Sequence, residues 1–180
     1  MSKLTPGREY ERKFLVDVGL FTDAIRRAAR QLHIRQGYLA ITPAQLRVRS
    51  TDGIHVLEIK GDDDIELDPK PLSRMEGELL LRDYAPRVAT IIEKIRHEIP
   101  AGFDALKWEV DVFKGSNAPL VIAEIELPAK RYPLDSHAWP DWVGEEVTGD
   151  PRFKNKNLAL APFTTWPKAL QKKTLKRMGV

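Results

Sequence analysis

The ten residues from Arg8 to Asp17 read REYERKFLVD. Glu9, Glu11 and Lys13 stand two apart, while Tyr10 and Phe14 take the other parity. Alternate side chains of a β-strand share a face, so a strand here carries two carboxylates and an ammonium on one side. Strands of a globular domain normally turn apolar side chains inward and leave charges to water. A strand that opens on an ordered charged row therefore poses a question: whether that row faces solvent or forms an interior.

The same spacing recurs along the chain. Arg47 and Arg49 stand in LRVRS, Glu58 and Lys60 in LEIKG, Glu76 and Glu78 in RMEGEL. Lys94 and Arg96 follow in EKIR, Glu109 and Asp111 in WEVDVF, and Glu124 and Glu126 in AEIEL. With 31% charged residues, one such pair means nothing by itself. Two properties of the set carry more. Signs are sorted by segment, with acid pairs on four and basic pairs on two. The intervening positions are apolar, as at Val48, Ile59, Ile95, Val110, Val112 and Ile125. If those apolar faces pack against outer helices and loops, the charged faces converge on an axis.

The remaining sequence sets the frame. A length of 180 residues with 42% hydrophobic content predicts one domain over 1–180. About eight strands are expected: REYERKFLV, HIRQGYLAI, AQLRVRS, IHVLEIKG, SRMEGELLLR, TIIEKIRHEIP, LKWEVDVFKG and LVIAEIELP. Asp52-Gly53 turns the hairpin between the third and fourth. FTDAIRRAARQL reads as a helix, DDDIELDPKP as an acidic loop, and WPKALQKKTLKR as a basic terminal helix from about Trp166. The class is α+β, mainly β.

The absence of cysteine excludes disulfides, thiolate nucleophiles and thiolate metal sites. No signal segment or membrane-length apolar run is present, so a cytoplasmic protein with no membrane partner is expected. A net charge of +3 is too small to argue for nucleic acid. His33, His55, His97 and His137 share no ligand-like spacing.

Taken as one inner set, Glu9, Glu11, Glu58, Glu76, Glu78, Glu109, Asp111, Glu124 and Glu126 face Lys13, Arg47, Arg49, Lys60, Lys94 and Arg96. The acids exceed the bases by three, a surplus that about two divalent cations would reverse. Arginine and lysine would then hold phosphate oxygens. Carboxylates for hard metals beside bases for phosphate make up the inventory of metal-assisted phosphoryl transfer.

These residues resemble a known family. EYERKFLV is similar to the E-x-E-x-K signature of the CYTH superfamily, the triphosphate tunnel metalloenzymes, and the likeness continues in order through LRVRS, LEIKG, RMEGEL, EKIR, WEVDVF, AEIEL and GEEVTGDPRFKNKNLA. The resemblance implies an eight-stranded antiparallel closed β-barrel with a few covering helices. It implies hydrolysis of inorganic triphosphate (tripolyphosphate) to pyrophosphate and phosphate with Mg²⁺ or Mn²⁺. Glu9, Glu11, Asp111, Glu124 and Glu126 become metal ligands, and Lys13, Arg47, Arg49, Lys60, Lys94 and Arg96 grip the substrate. One ion falls to Asp111, Glu124 and Glu126; the other, on Glu9 and Glu11, activates water. Lys13 assists the leaving pyrophosphate by proton donation or by charge alone.

Tyr38, in RQGYL, matches a position near the site and reads equally as a catalytic group that hydrogen-bonds a phosphate or a metal-bound water, or as packing. Arg152 is expected as a phosphate or acid-pair ligand, and Lys156 as solvated. Glu58 departs from the pattern, since a small hydroxyl residue often stands there, and the acidic loop has no clear counterpart. Thiamine triphosphatase, a class IV-type adenylate cyclase and a non-catalytic polyphosphate- or nucleotide-binding module stay open as alternatives, as does a homodimer.

Overall fold

The computed structural model describes residues 10–61, 67–102, 104–129, 132 and 139–180. Glu9, His137 and residues 62–66 of the acidic loop lie outside them. Nine strands form one sheet: β1 (Tyr10–Val16), β2 (Arg30–Ala40), β3 (Gln45–Thr51), β4 (Ile54–Lys60), β5 (Lys70–Leu72), β6 (Ile92–Pro100), β7 (Lys107–Phe113), β8 (Val121–Leu127) and β9 (Val143–Glu146). Their order is β5-β4-β3-β2-β6-β7-β8-β1-β9, antiparallel at each junction.

The expected closed eight-stranded barrel is corrected here. Among the described residues the sheet has nine strands, and its edges, β5 and β9, are not hydrogen-bonded to each other. Both edges are poor zippers. β5 has three residues with Pro71 at its centre, which offers no N–H, and β9 has four residues and slips register against β1 between Phe14 and Val16.

RMEGEL is a helix, α2 (Arg74–Leu79), so Glu76 and Glu78 are not on an inner strand face. Ser73 caps it: its hydroxyl accepts from the Glu76 N–H while the Glu76 carboxylate accepts from the Ser73 N–H, a capping box. Glu78 reaches Arg35 at 3.1 Å and His55 at 3.1 Å. Gly77 lets α2 lie against β4, because a Cβ there would fall 2.2 Å from the His55 ring. The helix thus covers the outer face of β3 and β4.

The helix expected over FTDAIRRAARQL is α1 (Asp23–Ala28), and β2 begins already at Arg30. Pairing of Arg30–Gln36 with Glu98–Ile92 of β6 overrides the helical period. Two further helices close the chain, α3 (Asn155–Leu160) and α4 (Lys168–Arg177). Among the described residues no helix is long and apolar enough to cross a membrane.

The outer-parity residues Phe14, Trp108, Val110, Ala123 and Ile125 are buried. Trp139 and Trp142 cover them, with edge-to-face contacts of 4.8 Å from Trp139 to Phe14 and 5.7 Å from Trp142 to Trp108. With apolar side chains sealed on that side, the charged parity must face the other way.

Candidate active site

Strand register aligns the charged rows. Lys13 stands opposite Glu124, which stands opposite Glu109, which stands opposite Glu98; Glu11 faces Glu126 and Asp111 faces Arg96. On the other half of the sheet Tyr38 faces Arg47, Arg47 faces Glu58, Gln36 faces Arg49, and Gln45 faces Lys60. Cross-strand partners project to the same side, so one face carries all of them. That face encloses a cavity of about 390 Å³. Its bases are Lys13, Arg47, Arg49, Lys60 and Arg96, joined by Lys154 and Lys156; its acids are Glu11, Glu58, Glu109, Glu124 and Glu126. Of the charged row in the opening stretch, Glu11 and Lys13 face the inside.

Lys13 is held from both ends. Its N–H donates to Thr148 Oγ1 at 3.0 Å, and its carbonyl accepts from the Val147 N–H at 2.8 Å. Its ammonium bonds Glu124 and lies 3.0 Å from Glu11. Burial pushes its pKa down, but the two carboxylates outweigh burial and hold it above the usual lysine value.

Arg96 makes a bidentate pair with Asp111, Nε to Oδ1 and Nη2 to Oδ2 both at 2.8 Å, and reaches Glu124 at 3.1 Å and Glu109. Although buried, it is held well above the usual arginine value by Asp111 and then Glu124 and Glu109. Glu124 would be raised by burial, yet Lys13, Lys94 and Arg96 together hold it below the usual glutamate range.

Asp111 and Lys94 do not line the cavity. They form an ion pair with each other, each almost wholly excluded from solvent, directly behind Arg96. Burial takes Lys94 down to about 8 despite Asp111, and Asp111 is held low by Lys94 and Arg96 against the same burial. Both residues belong to the support of the cavity wall.

Arg47 and Arg49 share one carboxylate. Glu58 accepts from Arg47 Nε at 2.7 Å and lies 3.3 Å from Arg49 Nη1. The remaining face of Arg49 donates Nε and Nη2 to the amide oxygen of Gln36, at 3.2 and 3.0 Å. Gln36 then donates its NH₂ to the Tyr38 hydroxyl at 3.0 Å. Arg47 also hydrogen-bonds that hydroxyl, and burial raises the Tyr38 pKa in spite of it. Two donors fill the phenol's lone pairs, so its own proton is left to donate.

Two placements outside the paired strands narrow or change what was expected. Of the two roles expected for Arg152, the acid pair is the one observed: it is not at the cavity, Asp150 takes its guanidinium at 2.9 Å and Trp166 stacks below it at 5.7 Å. Lys156, expected to be solvated, lines the cavity together with Lys154 and Asn155. Gln36 and Glu98 were missed. Gln36 is uncharged and falls outside any search for charge pairs, whereas Glu98 simply continues the Lys94, Arg96 parity and pairs with Arg30 at 3.1 Å and with Lys107. The charge count changes as well. Without Glu76 and Glu78, and with Glu9 outside the described residues, the expected set becomes six acids against six bases.

The carboxylates on β1, β7 and β8 are hard donors suited to Mg²⁺ or Mn²⁺. Among the described residues no three His, Asp or Glu side chains are gathered as a metal-binding group, and Glu109 and Glu124 are engaged by Arg96 and Lys13. The donor chemistry fits a hard divalent cation, with the acids held as counter-ions to the bases.

Such a cavity, walled by alternating bases and carboxylates on the inner face of an antiparallel sheet, defines a protein built to hold a compact polyanion. Two relatives share most of the chain. An inorganic triphosphatase of Acetivibrio thermocellus is 36% identical over 167 residues, 87% of this chain and 96% of the relative. One of Nitrosomonas europaea is 34% identical over 167 residues, 85% of this chain and 97% of the relative. A crystal structure of the inorganic triphosphatase NE1496 superposes with a TM-score of 0.59 at 32% identity, covering 84% of this chain and 94% of that one. No family model matches the sequence. The chain belongs to the inorganic triphosphatases of the CYTH superfamily.

Proposed function

We propose that this protein hydrolyses inorganic triphosphate to pyrophosphate and phosphate within the charged cavity. The observation that carries the reading is the lining itself: among the described residues, seven basic side chains and five carboxylates around about 390 Å³, with Tyr38 as the one aromatic group. Arg47, Arg49 and Lys60 approach from one half of the sheet, and Lys13 and Arg96 from the other. A linear polyanion between them meets cations along its length.

Lys13 acts by charge. A lysine held above its usual pKa keeps its proton at neutral pH, which suits it to stabilise a leaving pyrophosphate and not to protonate it. The Tyr38 hydroxyl, its lone pairs taken by Gln36 and Arg47, donates to a phosphate oxygen. Lys154 and Lys156 add positive charge that offsets the carboxylates. Among the described residues, the cavity's donors for metal are Glu11, Glu109, Glu124 and Glu126, and two ions of Mg²⁺ or Mn²⁺ are the complement proposed. A divalent cation there supplies charge neutralisation for the phosphates and acidity for water.

The cyclase alternative needs a seat for purine and ribose. Apart from Tyr38 and Gly61, the lining among the described residues is polar or charged and offers no apolar slot for a base. The test is a panel of tripolyphosphate, thiamine triphosphate and ATP, each with Mg²⁺ and with Mn²⁺, scored for phosphate and for cyclic AMP. Tripolyphosphate should turn over fastest, with no cyclic AMP and no turnover in excess chelator. Cyclic AMP at a rate comparable with phosphate release would overturn the reading, and a preference for thiamine triphosphate would change the substrate and keep the chemistry.

A further inference from the structure

Of the five acids that line the cavity among the described residues, four lie on β1, β7 and β8, and Glu58 stands among the bases, on β4. Its carboxylate is spent on two guanidiniums, with Arg47 at 2.7 Å and Arg49 at 3.3 Å, and it is nearly buried at 13% side-chain exposure. Burial and the neighbouring Arg47 charge both push the Arg49 pKa down, and Glu58 pushes it back up. Without an anion between them, two guanidiniums in a partly dehydrated wall repel each other. Phosphate oxygens and carboxylate oxygens satisfy the same Arg fork in the same planar manner. Glu58 thus occupies, from within the chain, the place a phosphate oxygen would take.

We propose that Glu58 is an internal counter-anion of the Arg47–Arg49 phosphate subsite, which competes with bound phosphate and so promotes departure of the anionic product. This rests on the reading of the cavity as a phosphate site. An incoming triphosphate can displace the carboxylate because it also engages Lys13, Lys60 and Arg96. After cleavage each product spans fewer of these cations, and Glu58 regains its arginines. A carboxylate that merely props up the arginines has the opposite signature, since its loss would disorder the guanidiniums and weaken anion binding.

The experiment is isothermal titration of pyrophosphate into the full chain, in chelator and at two salt concentrations, for wild type, Glu58→Gln and Glu58→Asp. Glu58→Gln should bind pyrophosphate at least fivefold more tightly than wild type, with an affinity that falls more steeply with salt, because one more net positive charge meets the ligand. Glu58→Asp should stay near wild type. Steady-state inhibition of tripolyphosphate hydrolysis by pyrophosphate should sharpen in step for Glu58→Gln. Equal or weaker pyrophosphate binding by Glu58→Gln overturns the proposal, as does failure of both variants to fold, which would make Glu58 a structural ion-pair partner. Wild-type protein that binds no tripolyphosphate would sink the phosphate-site reading itself, a separate failure.

Discussion

Replacing Asp111 by Asn separates support from metal binding. Asn keeps the volume, so the change isolates one charge. That charge is fully buried, bonded to Lys94 and doubly bonded to Arg96. Lys94, brought down to about 8 with its partner present, would be left unpaired in the interior. Breaking one partner out of a buried pair costs about 3–5 kcal/mol. For a chain of this size, where 1 kcal/mol moves Tm by about 2–4 °C, the melting temperature should drop by about 6–20 °C. The double variant Lys94→Met/Asp111→Leu replaces the pair by apolar groups and should recover most of the loss, because Arg96 still has Glu109 and Glu124. Thermal and urea unfolding by circular dichroism, in chelator, reads this directly. A single variant within about 1 kcal/mol of wild type, or a double variant no more stable than the single, would refute the placement of Asp111 as buried support.

Three other outcomes are expected. Gln36→Glu keeps an acceptor for Arg49 but loses the donor to Tyr38, so the phenol turns its proton toward the new carboxylate; kcat on tripolyphosphate should fall about tenfold, the worth of one hydrogen bond, with Tm nearly unchanged. Unaltered kcat would show that Tyr38 does not donate to substrate. Gly77→Ala drives a methyl into the His55 ring, and the overpacking cost of about 1–3 kcal/mol should exceed the roughly 1 kcal/mol gained in helix propensity; denaturation should show lower stability while kcat stays within about twofold, because α2 lies on the outer face. Finally, Glu124 and Asp111 are held below their ordinary values of 4.5 and 3.8, against burial, by Lys13, Lys94 and Arg96. The unfolded chain protonates first as pH falls, so the stability these groups contribute is complete above about pH 5 and lost as pH drops through the folded values. A urea midpoint unchanged between pH 6 and pH 3 would contradict it.

Much of the site was legible because parity is a strict rule. Once Lys13 is inward, Glu11 and the opposed Glu124 and Glu126 follow, and the apolar residues between them are sealed outside by Trp139 and Trp142. The rule misled at Glu76 and Glu78, where charge-x-charge spacing occurs by chance inside a helix. The corrective signal was present in Ser73, three residues before Glu76, a capping pair that outweighs a two-residue alternation. Closure was not legible, since it depends on whether two short edges find each other, and β5 and β9 carry little pattern of their own. Arg152 pairs with an acid and not with the cavity for a local reason: Asp150 caps the turn that begins at Pro151 and takes the nearest guanidinium with it.

Lys13 has a consequence for how the chain is made. Among the described residues its strand, β1, pairs with β8 and β9, and its backbone is fixed by Val147 and Thr148. During synthesis the first strand therefore waits, with Phe14, Leu15 and Val16 uncovered and both its edges open, until residues beyond 120 have left the ribosome. Contacts of such sequence separation form late and slowly, and an apolar strand left waiting is a target for aggregation or chaperone capture. The lysine nearest the N-terminus of the described chain is thus among the last parts of the cavity to be assembled, and a chain cut before β9 lacks the Val147 and Thr148 contacts that fix it.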